Sequence, residues 1–152
     1  MIVFRLSKLA YAADLSGLGA RIAGGRWNSQ GVALLYTSES RALCTAEIAV
    51  HTGLGLLPAD YQLTTIMIPD AAPLSVIDPA KLPPGWRSFP YPSFTRIIGD
   101  QFVKENRHLV LKIPSAVVPG DFNYLINPAH PAMDQVKIVK AEAFEFDERL
   151  FR

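Results

Sequence analysis

Gly31-Val32-Ala33-Leu34-Leu35-Tyr36-Thr37 runs directly into Ser38-Glu39-Ser40-Arg41-Ala42-Leu43-Cys44-Thr45-Ala46-Glu47-Ile48-Ala49-Val50-His51-Thr52. The first stretch is a short, near-continuous apolar run of the kind that forms a buried strand. The second has helical spacing, with Ser38 or Ser40 available as a cap and Gly53 as a stop. Working outward, Tyr61 to Ile68 predicts a strand halted by Pro69. Phe94 to Asn106 predicts a helix capped by Ser93, with Ile97, Ile98, Phe102 and Val103 as its apolar positions. Arg107 to Ile113 alternates as a strand does, and Gln135 to Phe146 is strand-rich, with Phe144 and Phe146 on one face. Strands and helices are mixed without a regular βαβ rhythm, which predicts an α+β fold.

The chain of 152 residues suits one domain spanning residues 1–152, and 49% hydrophobic residues supply a core without covalent staples. Its single cysteine, Cys44, excludes an intramolecular disulfide and fits a reducing cytoplasm. A net charge of +1 implies no broad attraction to nucleic acid or a membrane surface. The start, Met1-Ile2-Val3-Phe4-Arg5, lacks the long apolar run of a signal peptide, and no stretch approaches the ~20 apolar residues that span a bilayer. The expectation is a cytoplasmic protein. Prolines gather between Pro69 and Pro92 and between Pro114 and Pro131, interspersed with Trp86, Phe89, Tyr91 and Phe122. These stretches read as ordered loops, and the first receives no functional role.

Four places can carry chemistry. In Gly24-Gly25-Arg26-Trp27-Asn28 the glycines allow a tight turn, and Arg26 either decorates that turn or presents its guanidinium fork to a phosphate or carboxylate. No Walker or G-x-G-x-x-G cradle is present. Glu47 falls at the edge of the helical stripe formed by Leu43, Ala46 and Val50, so it is either half-exposed beside the core or lines a cleft. His51 is its neighbour one turn on. Tyr36, at the end of its strand, is a core tyrosine or a ring that stacks on a planar heterocycle. Ser115 follows a strand end without a nucleophile elbow around it, so it reads as a hydrogen-bonding residue. His51, His108 and His130 show no ligand spacing and Cys44 stands alone, so no metal is expected.

In this order the segments resemble the RES domain family. Gly17-Leu18-Gly19-Ala20-Arg21-Ile22-Ala23-Gly24-Gly25-Arg26-Trp27-Asn28 is similar to its opening signature. Leu35-Tyr36-Thr37-Ser38 with Ala46-Glu47 and His51 resembles the next block. Ile113-Pro114-Ser115 and Asn123-Tyr124-Leu125-Ile126-Asn127-Pro128-Ala129-His130-Pro131 resemble the third, and Phe146-Asp147-Glu148-Arg149-Leu150 the ending. The family's named Arg, Glu and Ser fall on Arg26, Glu47 and Ser115.

The resemblance implies an ADP-ribosyltransferase-like fold with a split, mainly antiparallel sheet flanked by helices. It implies a toxin that depletes NAD⁺ by cleaving the nicotinamide–ribose bond, with water or inorganic phosphate as acceptor and no other cofactor. Glu47, Arg26 and Tyr36 would be catalytic. Arg26, Tyr36, Ser115, Asn123, Trp27 and Asn28 would contact NAD⁺, with Arg26 on the diphosphate or the carboxamide side. The implied partner is an Xre-like helix-turn-helix antitoxin that occludes the cleft, with a homodimer inside that complex. Protein ADP-ribosylation is the alternative. A ribonuclease using His51 or His130 with Glu47, or a non-catalytic antitoxin-binding module, are further alternatives.

Overall fold

The computed structural model describes residues 1–152. The strands are β1 (Ile2–Lys8), β2 (Leu35–Ser38), β3 (Tyr61–Met67), β4 (Leu74–Val76), β5 (Val110–Pro114), β6 (Phe122–Ile126) and β7 (Lys137–Phe144). The helices are α1 (Leu18–Ala23), α2 (Arg41–His51) and α3 (Ser93–Glu105), with short 3₁₀ turns between elements. The strands form one seven-stranded sheet in the order β4-β5-β6-β2-β1-β3-β7. Every pairing is antiparallel except β4 with β5. The joint between β1 and β2 is the weakest, a single register pair, Phe4 with Ser38. The sheet therefore divides into β4-β5-β6-β2 and β1-β3-β7, the α+β split architecture.

Successive side chains on a strand point to opposite faces, and the core obeys that rule. Val110 and Ile126 join Val3, Leu35, Ile66, Ile68, Leu109 and Val136 in one cluster. Their strand neighbours Leu111, Ile113 and Leu125 belong to a second cluster with Trp27, Leu34 and Phe102. In the other half of the sheet, Leu6 and Leu63 pack with Cys44, Phe146 and Phe151 in a third. One face thus has a core that bridges the joint. The other has two cores, one holding Phe102 of α3 and one holding Cys44 of α2, and a cleft opens between them.

Several boundaries differ from the sequence reading. Gly31 takes φ 93 inside a turn closed by the Val32 N–H on the Ser29 carbonyl, so the strand starts only at Leu35, and Leu34 is buried as non-strand backbone. Ser40 caps α2 by accepting from the Leu43 N–H, while Ser38 belongs to the strand. Thr52 in extended conformation, rather than a left-handed Gly53, ends α2. Ser93 is the first residue of α3, and Asn106 closes that helix at φ 52. Ile97 is exposed; the positions of α3 that are buried are Thr95, Gly99 and Phe102. Gly99 has a physical reason: a Cβ there would lie 1.6 Å from the Trp27 carbonyl oxygen. Strands β1, β4 and β6 and helix α1 lie outside the elements that the sequence pattern predicts.

Candidate active site

The glycine-rich segment folds as a tight turn. The Gly25 N–H donates to the Asn28 carbonyl at 2.9 Å, and Gly25 and Asn28 form an isolated bridge. Arg26 and Trp27 sit at its tip. Gly25 is needed because a Cβ would meet the Tyr36 hydroxyl oxygen at 2.8 Å. That hydroxyl donates to Asn28 Oδ1 at 2.8 Å and accepts from the Trp27 N–H at 3.1 Å. Asn28 Nδ2 in turn donates to the Ala20 and Val32 carbonyls. Tyr36 is thereby pinned by its polar end, while its ring lines the cleft. Burial pushes its pKa above the ordinary tyrosine value, so the phenol keeps its proton.

Glu47, on α2, faces β5 and β6 across the cleft floor. Its Oε1 accepts from Ser115 Oγ at 2.9 Å and from Asn123 Nδ2 at 2.7 Å. Ser115 Oγ accepts from the Val117 and Val118 N–H groups, so both lone pairs are occupied and its one proton is directed at Glu47. Asn123 Oδ1 accepts from Ser38 Oγ at 2.6 Å, which turns the amide nitrogen toward Glu47. Both groups on Oε1 are donors, the arrangement a carboxylate accepts. Glu47 Oε2 has no protein partner and is not enclosed, so it meets the cleft.

The opposite wall is the loop before α3. Arg26 Nη1 donates to the Trp86 carbonyl at 2.7 Å and the Ser88 carbonyl at 2.9 Å. Its guanidinium carbon lies 4.8 Å from the centre of the Tyr91 ring. The guanidinium therefore latches this loop to the body of the protein. Burial pulls the Arg26 pKa below its ordinary value, with Arg87 adding to the effect, while Tyr91, Glu47 and Tyr36 oppose it. Between the walls lies a cleft of about 1180 Å³, lined among others by Arg26, Tyr36, Glu47, His51, Arg87, Phe89, Tyr91 and Asn123. That is roomier than the roughly 300–1,000 Å³ of drug-sized pockets, and large enough for a dinucleotide.

The RES domain family model matches residues 2–147. The chain belongs to the RES domain family. The RES chain is 42% identical over 143 residues to the Prs ADP-ribosylating toxin of Sphingobium sp. (strain YBL2), covering 93% of this chain and 89% of that protein. It is 38% identical to Toxin Res of Pseudomonas putida, covering 99% of this chain and all of that one. Its fold is that of a chain in the crystal structure of the M. tuberculosis MbcT-MbcA toxin-antitoxin complex. The TM-score is 0.76 at 21% identity, covering 99% of this chain and 86% of that chain. No helix of the RES chain is long and apolar enough to cross a membrane.

Within this RES fold the residues singled out by sequence separate into two groups. Arg26, Tyr36, Glu47 and Asn123 line one cleft. Three others are buried around it. Asn28 is fully enclosed, with its amide occupied by Ala20, Val32 and Tyr36. Ser115 is 2% exposed, with its hydroxyl occupied by Glu47 and two amides. Trp27 borders the cleft but is 2% exposed, and its ring belongs to the core beside Trp86. Each holds a cleft residue or its wall in place. The apolar stripe assigned to α2 is corrected: Val50 is exposed at the cleft, and Leu43 and Cys44 are the buried positions. Sequence reasoning missed Arg87, Phe89 and Tyr91, which lie in the proline-rich stretch that received no role. The signal available there was an arginine among aromatics.

Proposed function

We propose that this RES domain is the toxin of a toxin–antitoxin pair and that its cleft breaks the nicotinamide–ribose bond of NAD⁺. The observation that carries this is the Glu47 carboxylate. One of its oxygens is fixed by two donors and the other is free, in a cleft that also holds a half-buried guanidinium and a pinned tyrosine ring. The bonding pair leaves with the pyridinium nitrogen, giving neutral nicotinamide and an oxocarbenium-like ribose. Glu47 Oε2 accepts from a ribose hydroxyl and stabilises the positive charge developing on the sugar. Tyr36 stacks against the nicotinamide ring. Ser115 and Asn123 position Glu47, so no reorganisation is required as charge develops. Water or inorganic phosphate then bonds to the sugar carbon and loses a proton, yielding ADP-ribose or its phosphate ester.

A second reading, transfer of ADP-ribose to a protein side chain, shares every step but the last. The name of the Sphingobium relative favours it. Incubation with adenine-labelled NAD⁺ separates the outcomes. Nicotinamide release with free labelled ADP-ribose or its phosphate is expected, and label on a protein target favours transfer. No nicotinamide release by folded, inhibitor-free protein overturns both.

The partner we propose is a helix-turn-helix antitoxin of Xre type covering the cleft mouth, in a complex containing two copies of the toxin. Exposed Val50 at the cleft and exposed Leu54, Leu56 and Leu57 just beyond α2 supply an apolar rim for such a cover. Added antitoxin should then suppress nicotinamide release.

A further inference from the structure

Arg87 and Phe89 both line the cleft, and neither has a place in the hydrogen-bonded network around Glu47. Arg87 is exposed. Its hydrogen bonding to the protein is limited to a long contact from Nε to the Ala116 carbonyl, 3.3 Å, and its guanidinium carbon lies 5.8 Å from the centre of the Trp86 ring. No carboxylate pairs with it. Its Nη1 and Nη2 groups thus point their donors at nothing in the protein. Arg26 differs: its Nη1 is engaged by two carbonyls of the same loop and its face lies against Tyr91. The two guanidinium groups are near enough that Arg87 helps to pull the Arg26 pKa down. With Arg5 they place three arginines on the cleft against the one carboxylate of Glu47. In a chain with a net charge of +1, that concentrates positive potential where a ligand enters. Phe89 is 77% exposed, more than any other exposed aromatic, and meets Tyr91 edge to face at 5.3 Å. A phenylalanine left in water beside an unpaired guanidinium is an unfilled stacking surface beside an unfilled anion site.

We propose that the loop 86–91 is the recognition segment for the adenosine diphosphate half of the substrate, with Arg87 paired to the diphosphate and Phe89 stacked on the adenine. This rests on the assignment of NAD⁺ as substrate. It moves the anion-binding role from Arg26, which the structure uses as a latch, to Arg87, whose donors are free. The fork geometry of Arg87 fits the closely spaced phosphate oxygens of a diphosphate.

Calorimetry with ADP-ribose and with adenosine tests the assignment without needing turnover. Arg87→Ala should weaken ADP-ribose binding roughly tenfold, the loss of a charge-assisted pair partly screened by water. It should change adenosine affinity by less than about twofold, because adenosine carries no phosphate. Phe89→Ala should weaken both ligands about equally. Arg87→Lys should recover part of the loss, and the wild-type ADP-ribose affinity should fall with added salt more steeply than that of Arg87→Ala. Both side chains are exposed, so the variants should melt as the wild type does. Unchanged ADP-ribose affinity in Arg87→Ala, equal losses for the two ligands in that variant, or no ADP-ribose binding by the wild type overturns the proposal. The two assignments fail differently. ADP-ribose binding that depends on Arg87, without nicotinamide release, sinks bond cleavage and leaves the loop assignment. Nicotinamide release with Arg87→Ala binding normally does the reverse.

Discussion

The wall that carries Glu47 and the wall that carries Arg87 face each other across one cleft and are built in contrasting ways. On the first, the contacts tie together Ser38 of β2, Asn123 of β6, Glu47 of α2 and Ser115 just past the end of β5. Ser38, Ser115 and Asn123 are buried, and each hydroxyl or amide in the chain has its direction fixed by the next. On the second, an irregular loop is tied down by one guanidinium through two carbonyls and a ring. Sheet and helix place a charge to within a fraction of an ångström, as bond breaking requires. A loop held by a few side-chain contacts offers free donors and an exposed ring, as recognition requires.

The contrast is sharpest at Glu47. Glu47→Gln keeps an oxygen that accepts from Ser115 and Asn123, so the wall should stay folded. The charge that the proposed mechanism sets opposite an oxocarbenium-like ribose is gone, and turnover of NAD⁺ should fall about 10²–10³-fold. Near wild-type nicotinamide release from a variant with normal melting would remove Glu47 from the chemistry.

Arg26→Ala attacks the other wall. It should remove about 2 kcal/mol of charge-assisted bonding that holds the loop 86–91, and NAD⁺ affinity should fall because binding must then order that loop. Amide hydrogen exchange of residues 86–91 should rise in the free protein, while exchange around Ser115 stays as it was. Unchanged exchange in the loop would show that Arg26 is not its latch.

A smaller effect is expected at Ser38, which is linked to the Glu47 carboxylate through Asn123. Ser38→Ala frees the Asn123 amide to turn over, and kcat should drop about tenfold, roughly 1.4 kcal/mol, with little change in KM. Ser38→Thr should restore part of it. A change in KM alone would mean that Ser38 shapes the cleft rather than orients the carboxylate.

The smallest concerns the dryness of the core behind Glu47. Burial pushes the Cys44 thiol from its ordinary 9.0 up to about 11. The folded chain then holds a proton that the unfolded chain has already lost. That stabilisation is complete below about pH 9 and disappears as pH rises through about 11, with a slope of at most about 1.4 kcal/mol per pH unit. Chemical denaturation across this window should show the decline, and Cys44→Ala should make it shallower between about pH 9 and 10, below the range where the buried Tyr36 phenol also contributes. Equal slopes would mean that water reaches Cys44.

The same contrast explains what the sequence made legible. β2 announces itself as an apolar run and β3 as an apolar and β-branched segment ended by a proline, while α2, α3 and β5 show apolar positions that recur along the element. β6 did not, since Phe122-Asn123-Tyr124-Leu125-Ile126 mixes a site residue into its pattern and reads as a motif rather than a strand. β1 carries Arg5 between Val3 and Leu6, which hides its alternation. The six-residue α1 is masked by the glycines around it. Within the site, Glu47 was ambiguous on a helical wheel because Val50 belongs to the cleft rather than the core. Only the sheet could bring Ser115 and Asn123, 68 and 76 residues further along the chain, onto its carboxylate. The loop 86–91 is illegible for another reason: its placement on the cleft depends on a latch 60 residues upstream at Arg26, and no local pattern encodes that distance.

Whether the two walls close on one molecule is most directly tested by hydrogen exchange with and without carba-NAD⁺, an analogue whose nicotinamide bond is not cleaved. Slowed exchange is expected at both walls together, in residues 86–91 and in the segments around Tyr36 and Ser115. Protection limited to one wall, or absent from both at saturating ligand, would contradict a single dinucleotide site shared by Arg26, Tyr36 and Glu47.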